Sequence, residues 1–259
     1  MNLASIGIRA SAGLHPEVEA FVNASYANIT DAGIITDLNT LVGALKGYGL
    51  WTPMRAVYPL VGGNATAHSY NLKDVTQHQI TWNGTVTHNA NGVTGNGTTG
   101  YGNTGIVPSS VLSSSVHVSA YIRVSSATFG QYDIFCGSDA SSCLGFCSNQ
   151  SGGSSFAVNN GEIGGLNVTP PAFISLTRSA ANVGSIYRNG SKFSNFTRAQ
   201  ISMASVPLAI MAKNIAGAIS GYSAKNYAFF TVGDSLTDTQ CANLYTAIQA
   251  FQTSRGRQV

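Results

Sequence analysis

The chain holds ten acidic residues, five histidines and four cysteines in 259 positions, so each group able to move a proton, ligate a metal or attack a carbonyl can be taken by name. Glycoside hydrolysis asks for two carboxylates flanking the scissile bond, one as acid and one as nucleophile or base. The candidates are Glu17, Glu19, Asp31, Asp37, Asp74, Asp133, Asp139, Glu162, Asp234 and Asp238. The first four fall in an N-terminal segment of helical pattern. Asp238 falls in the first turn of a C-terminal helix, where it favours the dipole. No E-x-D-x-x-E strand occurs. Nor does a G-x-S-x-G elbow, which would be needed to pair a serine with His15, His68, His78, His88 or His117. His117 alternates out of phase with Val116 and Val118 and is expected to face outward. The expectation is a protein that is not an enzyme and has no catalytic residues.

Cys136, Cys143, Cys147 and Cys241 match no common zinc spacing, and they are expected as free thiols. No cofactor is expected. Calcium, which takes oxygen ligands, stays open through Asp133, Asp139 and Asp234, although these lack D-x-D-x-D spacing and Asp234 suits the turn before a helix. The run GVTGNGTTGYGNTG over 92–105 ends in no GK[ST] and precedes no helix, so its glycines read as hairpin turns rather than a phosphate cradle. Sugar recognition needs an aromatic face against a pyranose ring, with amides and hydroxyls ordering the ring hydroxyls. Trp82, Tyr101 and Tyr132, with Asn83 and Asn103 beside turns, are the residues that fit it.

Composition narrows the class. The chain is 44% hydrophobic and 9% charged, against roughly 25% charged in an ordinary soluble domain. Asn, Ser, Thr and Gly must therefore carry solubility, and a packed fold is expected rather than disorder. The net charge of +3 is spread from Arg9 to Arg257, which excludes a phosphate-tracking stripe and a nucleic-acid partner. Arg255 and Arg257 read as a solvated helix end. No stretch approaches the ~18 apolar residues of a membrane span. The start lacks a basic region followed by a long apolar one, so synthesis in a cytoplasm is expected. On that expectation the nine N-x-S/T sequons, from Asn23 to Asn195, reflect composition rather than glycosylation.

Two textures divide the chain. Residues 1–60 are expected to form a helical arm for attachment or oligomerisation. In it, Val18, Phe21 and Val22 mark one helix, and Ile34, Ile35, Leu38, Leu41, Val42 and Leu45 mark a second. Thr30 or Thr36 could cap the second helix, and Gly47, Gly49 and Pro53 end it. Residues 61–259 are expected to be one β-sandwich. Short alternating runs near 79–84, 115–126, 131–137, 154–160, 173–179, 184–190, 207–213 and 226–233 predict half-buried strands. Asn189–Gly190 predicts a type I′ hairpin turn. A helix over 237–254 follows, opened by a Thr237/Gln240 capping box and striped by Cys241, Leu244, Tyr245, Ile248 and Phe251.

The order SVHVSAYIRV, GSIYRNGSKFSNFT, YAFFTVGDSLTDTQCANLYTAI resembles the concanavalin A-like (laminin-G-like) jelly roll over roughly residues 60–250. In that family a strand carries an x-Tyr-x-Asn-Gly hairpin, and the last strand runs into a helix with Leu-Thr at its start. Ser235-Leu236-Thr237 through Leu244-Tyr245 fits, with Gln240 where Glu is usual. The resemblance implies a mainly β, antiparallel jelly-roll sandwich with an N-terminal helical arm and a C-terminal amphipathic helix. The wider texture, from GLWTPMRAVYPLVGGNATAHSYNLKD through THNANGVTGNGTTGYGNTG to LYTAIQAFQTSRGRQV, looks like virion proteins of Bacteroidetes-type phages. That likeness implies a structural part of a particle (head fibre, capsid decoration or tail fibre), assembled in the bacterial cytoplasm. Its partners would be other virion proteins and further copies of itself. A host-glycan-binding adhesin is the alternative, and a polysaccharide hydrolase is the third reading.

Overall fold

The structure, a computed structural model, describes residues 13–25, 29–148 and 153–259. Residues 1–12 and 26–28 of the expected arm, and the sequons at Asn28 and Asn149, lie outside the described residues.

Two sheets carry the body. Strands are numbered in chain order. Sheet A runs β13 (Ser191–Thr197), β12 (Val183–Arg188), β11 (Ala172–Ala180), β6 (Val116–Val124), β17 (Asn226–Asp234), β4 (Gly92–Gly95) and β3 (Val86–Asn89), and β1 (Met54–Tyr58) also pairs with β17. Sheet B runs β10 (Ile163–Leu166), β9 (Ser154–Asn160), β8 (Cys143–Cys147), β7 (Ile134–Gly137), β14 (Ala209–Ile210), β5 (Tyr101–Asn103) and β2 (Thr81–Asn83). A hairpin of β15 (Lys213–Ile215) and β16 (Ala218–Ser220) joins sheet B through a parallel pairing of β15 with β7; the other pairings are antiparallel. The expected mainly β sandwich is the observed one.

Alternation along the strands builds the core between the sheets. Val116, Val118, Ala120 and Ile122 of β6 face Ile134, Leu144, Phe146, Phe156 and Val158 of sheet B, all fully buried. A side-chain period of two sends the intervening residues to the opposite face. On sheet A that opposite face is covered as well. Tyr121, Phe173 and Phe229 join a second core with α1 (Pro16–Ala24), α2 (Ala32–Gly47) and the C-terminal helix, for which all the predicted stripe residues except half-buried Tyr245 are buried. The molecule therefore has three layers: helices, sheet A and sheet B. Two short helices, α3 (Ala65–Ser69) and α4 (Pro108–Val111), sit in connections, and the C-terminal helix is α5 (Asp238–Ser254).

Local signals act as their chemistry dictates. Thr237 Oγ1 accepts from Gln240 N at 3.2 Å while Gln240 Oε1 accepts from Thr237 N at 3.0 Å. Asn189 and Gly190 have φ of 51° and 75°, the positive pair that a type I′ turn requires. Other expectations need correction. Asp31, not Thr30 or Thr36, caps α2, accepting from Gly33 N at 2.7 Å. His117 does point away from the sandwich core, but into the helical layer, and it is fully buried. Arg257 is no solvated tail: it is buried and donates to Leu60 O, Pro59 O and Gln252 Oε1 at 2.9, 3.1 and 2.9 Å. Arg255 is paired with Asp31 and Asp37. With Ala90 O at 3.4 Å, three backbone carbonyls and a glutamine replace the water around Arg257, yet desolvation still draws its pKa down to about 9.

Candidate functional site

Sheet B turns one face to the core and the other away from both cores. Register assigns the sides: Asn103 of β5 lies opposite Ala209 of β14, which lies opposite Phe135 of β7. Phe135 belongs to a small outer cluster with Tyr132, Cys143, Cys147 and Ala157, whereas its neighbour Ile134 belongs to the inner core. Asn103, and Tyr101 two residues away, therefore share the outer face. Asn83 of β2 lies opposite Tyr101, and Thr81 opposite Asn103.

An aromatic row crosses this face. The rings of Tyr101 and Tyr222 are 6.2 Å apart, and the chain at Gly221 packs on Tyr132, whose N–H donates to Gly221 O at 2.9 Å. Tyr132 meets Phe135 edge-on at 4.8 Å, and the Lys213 ammonium lies 4.7 Å from the Tyr132 ring centroid, within cation–π range. The Tyr132 hydroxyl donates to both oxygens of Glu162, at 2.8 and 2.9 Å, and Ser155 Oγ donates to Glu162 Oε2 at 2.6 Å. Burial and the adjacent carboxylate push the Tyr132 pKa far up, so the phenol stays protonated. Tyr101, Tyr222, Asn83, Asn103 and Lys213 are half-buried, each presenting part of its surface.

Four of the five sequence-chosen residues are thus on the outer side of sheet B: Asn83, Tyr101 and Asn103 together on its β2–β5 edge, and Tyr132 at its middle, 96% buried. Trp82 is not with them. It pairs with Gly102, whose missing Cβ would fall 2.9 Å from the Trp82 ring and 2.7 and 2.8 Å from core residues Ile80 and Ile210. Trp82 therefore faces inward, donates Nε1–H to Ala65 O at 3.0 Å and packs edge-on against His88 at 4.8 Å. Sequence reasoning missed Tyr222, Lys213, Glu162 and Ser155, which arrive from separate segments. One signal was available: Glu162 is the only glutamate outside the N-terminal helical segment.

The groups considered for other chemistry are engaged elsewhere. Asp133 is fully buried against Lys225, Asp139 accepts from Ser141 N and Ser142 N, and Asp234 pairs with Arg55. Among the described residues no three His, Cys, Asp or Glu side chains converge as a metal cage. Desolvation pushes Cys143, Cys147 and Cys241 to about 12, holding them as thiols rather than nucleophilic thiolates. His68 and His88 approach Nδ1 to Nδ1 at 3.1 Å, and burial, with the neighbouring His88 and Arg257 charges, takes His68 down to about 3. In the glycine-rich run, amides do converge, but on a group of the chain itself: Asn96 Oδ1 accepts from Thr98, Thr99 and Gly100 N at 2.9–3.0 Å.

The comparison with solved structures bears on the arrangement as a whole. Domain 4 of AbnA, an extracellular arabinanase from Geobacillus stearothermophilus solved with arabinotriose, superposes with a TM-score of 0.55 at 14% identity, over 74% of this chain and 98% of that one. This protein has a mainly β, antiparallel sandwich fold. The sandwich also matches part of a Trypanosoma rangeli sialidase mutant (TM-score 0.55, 11% identity, 84% of this chain, 39% of that one) and the botulinum neurotoxin serotype D binding domain (0.51, 12%, 76% and 52%). It spans less than half of the sialidase and about half of the neurotoxin domain. Identities this low carry the fold and no more. No protein-family model and no curated protein matches the sequence.

Proposed function

We propose that this protein is a carbohydrate-binding module that recognises glycans on the outer face of sheet B without turning them over. One observation carries the reading: the half-buried Tyr101–Tyr222 pair lies beside Asn83 and Asn103 on an otherwise ordered sheet. Tyrosine rings offer rigid apolar area with a polar tip, and flanking amides supply both donors and acceptors. A sugar ring needs that mixture. Glu162 is held by Tyr132 and Ser155, which fits a positioning part better than a free acid or base. The setting we propose is display on a phage particle, following the sequence resemblance, as a head-fibre, decoration or tail-fibre component bound to other virion proteins and to further copies of itself. Many copies would raise avidity by about 10²–10⁴ over one weak site.

A glycan array with the purified chain tests the reading, and antibody labelling of particles tests the setting. Tyr101→Ala and Tyr222→Ala should each weaken binding roughly tenfold, about 1.4 kcal/mol. Trp82→Ala, on the opposite side of the strand, should leave affinity unchanged while lowering stability by about 2 kcal/mol. Absence of binding to every glycan class ends the proposal, and release of reducing sugar replaces it with hydrolysis.

A further inference from the structure

Between the two sheets, at one end of the sandwich, lies a pair of opposite charges with no access to solvent. Lys225 immediately precedes β17 of sheet A, and Asp133 immediately precedes β7 of sheet B; both side chains are 0% exposed. Lys225 Nζ donates to Asp133 Oδ1 at 2.8 Å, to Gln131 O at 3.1 Å, to Ser148 Oγ at 3.0 Å and to Ser148 O. Tyr227 Oη donates to the same Asp133 Oδ1 at 2.7 Å. The other oxygen, Oδ2, accepts from Ser148 N at 2.6 Å and from Ser148 Oγ at 2.7 Å.

We propose that Lys225 and Asp133 condense into an isopeptide bond that joins the two sheets covalently. Burying two charges is costly, and condensation removes both at once. The surrounding donors are divided as the reaction requires. Oδ2 has two donors, a backbone N–H and a hydroxyl, which is the arrangement that stabilises an oxyanion when nitrogen adds to the carboxyl carbon. Oδ1, the oxygen that must leave, has the two proton sources, Lys225 Nζ and Tyr227 Oη. One proton passes from the ammonium to Oδ1, and the neutral amine then adds to Cγ. A second proton from nitrogen follows to Oδ1, the Cγ–Oδ1 bond breaks, and water departs. The sum is an ammonium and a carboxylate giving one amide and one water, with no oxidant or co-reactant.

The product also fits the hydrogen bonds that remain. The single amide N–H has Ser148 O as its acceptor, and the amide oxygen keeps both Ser148 donors. Gln131 O still accepts from Cys147 Sγ at 3.2 Å, and Tyr227 Oη still has Ser223 Oγ at 2.7 Å. No group is left orphaned, which a mere ion pair does not demand of its neighbours.

The test is the mass of the full chain under denaturing conditions, where an ion pair leaves no trace. The expected mass is lower than the sequence mass by one water. Trypsin should yield a branched peptide joining the segments that contain Asp133 and Lys225, with no cleavage after Lys225. Lys225→Arg keeps the positive charge but lacks the condensing amine, and should regain the full mass. A wild-type mass equal to the sequence mass overturns the proposal. So does a water loss that persists in Lys225→Arg, or one accompanied only by linear peptides.

Discussion

His117 sits in β6 with Nδ1 2.6 Å from Asp234 O and Nε2 3.1 Å from Thr231 Oγ1, and burial holds its pKa down at about 4. The unfolded chain titrates near 6.5. Below that pH the unfolded state takes up a proton that the native state refuses, so stability is complete above pH 6.5 and falls as pH drops towards 4. Below about 4 the native histidine protonates as well and the decline from this group ends. The shift corresponds to about 3 kcal/mol. Denaturant melts at pH 7.5 and 4.5 should show a smaller loss in His117→Gln than in the wild type, and an equal loss in both would refute the assignment. The parity of His117 was readable from Val116 and Val118. Its burial was not, because nothing in a strand says what will cover its second face. Arg257 shows the same limit: a charged residue near a chain end reads as solvated until the carbonyls of Leu60 and Pro59 are known to surround it.

At the scale of elements, α1, α2 and α5 were legible from 3.6-residue spacing, and the eight alternating runs became strands. The helices were expected as an arm, yet Leu38, Leu41, Val42 and Leu45 of α2 are packed in one core with Leu244, Ile248 and Phe251 of α5 and with Tyr121 and Phe229 of sheet A. Burying each such side chain is worth about 1.5–3 kcal/mol. β1 adds a strand beside β17. Removing residues 1–60 should therefore do more than detach an arm. It takes α1 and α2 from the cover of sheet A and leaves α5 alone on that face, and the remaining chain should aggregate or lose its near-UV circular dichroism. A soluble, natively folded 61–259 fragment would mean that α1, α2 and β1 are dispensable.

For the whole molecule, the two large cores share one sheet: inner residues of β6 face sheet B and outer residues face the helices. Neither core can open without exposing a face of sheet A. A single calorimetric transition is expected, with calorimetric and van't Hoff enthalpies in agreement. Two resolved transitions would show that the helical layer and the sandwich melt separately. The glycan proposal belongs to this scale too, since Tyr101 of β5, Tyr222 just after the β15–β16 hairpin and Tyr132 just before β7 share one face only because sheet B places β14 between β5 and β7 and sets the hairpin on β7. The same is true of the Lys225–Asp133 pair, whose partners stand 92 residues apart in the chain.

The order of residue types determined what is local. Periods of two and 3.6 set strands and helices, Thr237 and Gln240 set a helix start, and Asn189–Gly190 set a turn, because each depends on contacts a few residues away. Tertiary structure alone decided which strand faces were buried twice, which side of β2 Trp82 would take, and which distant side chains would share the face of sheet B. Those outcomes depend on the register and stacking of strands far apart in the chain, and no short window of residues contains that information.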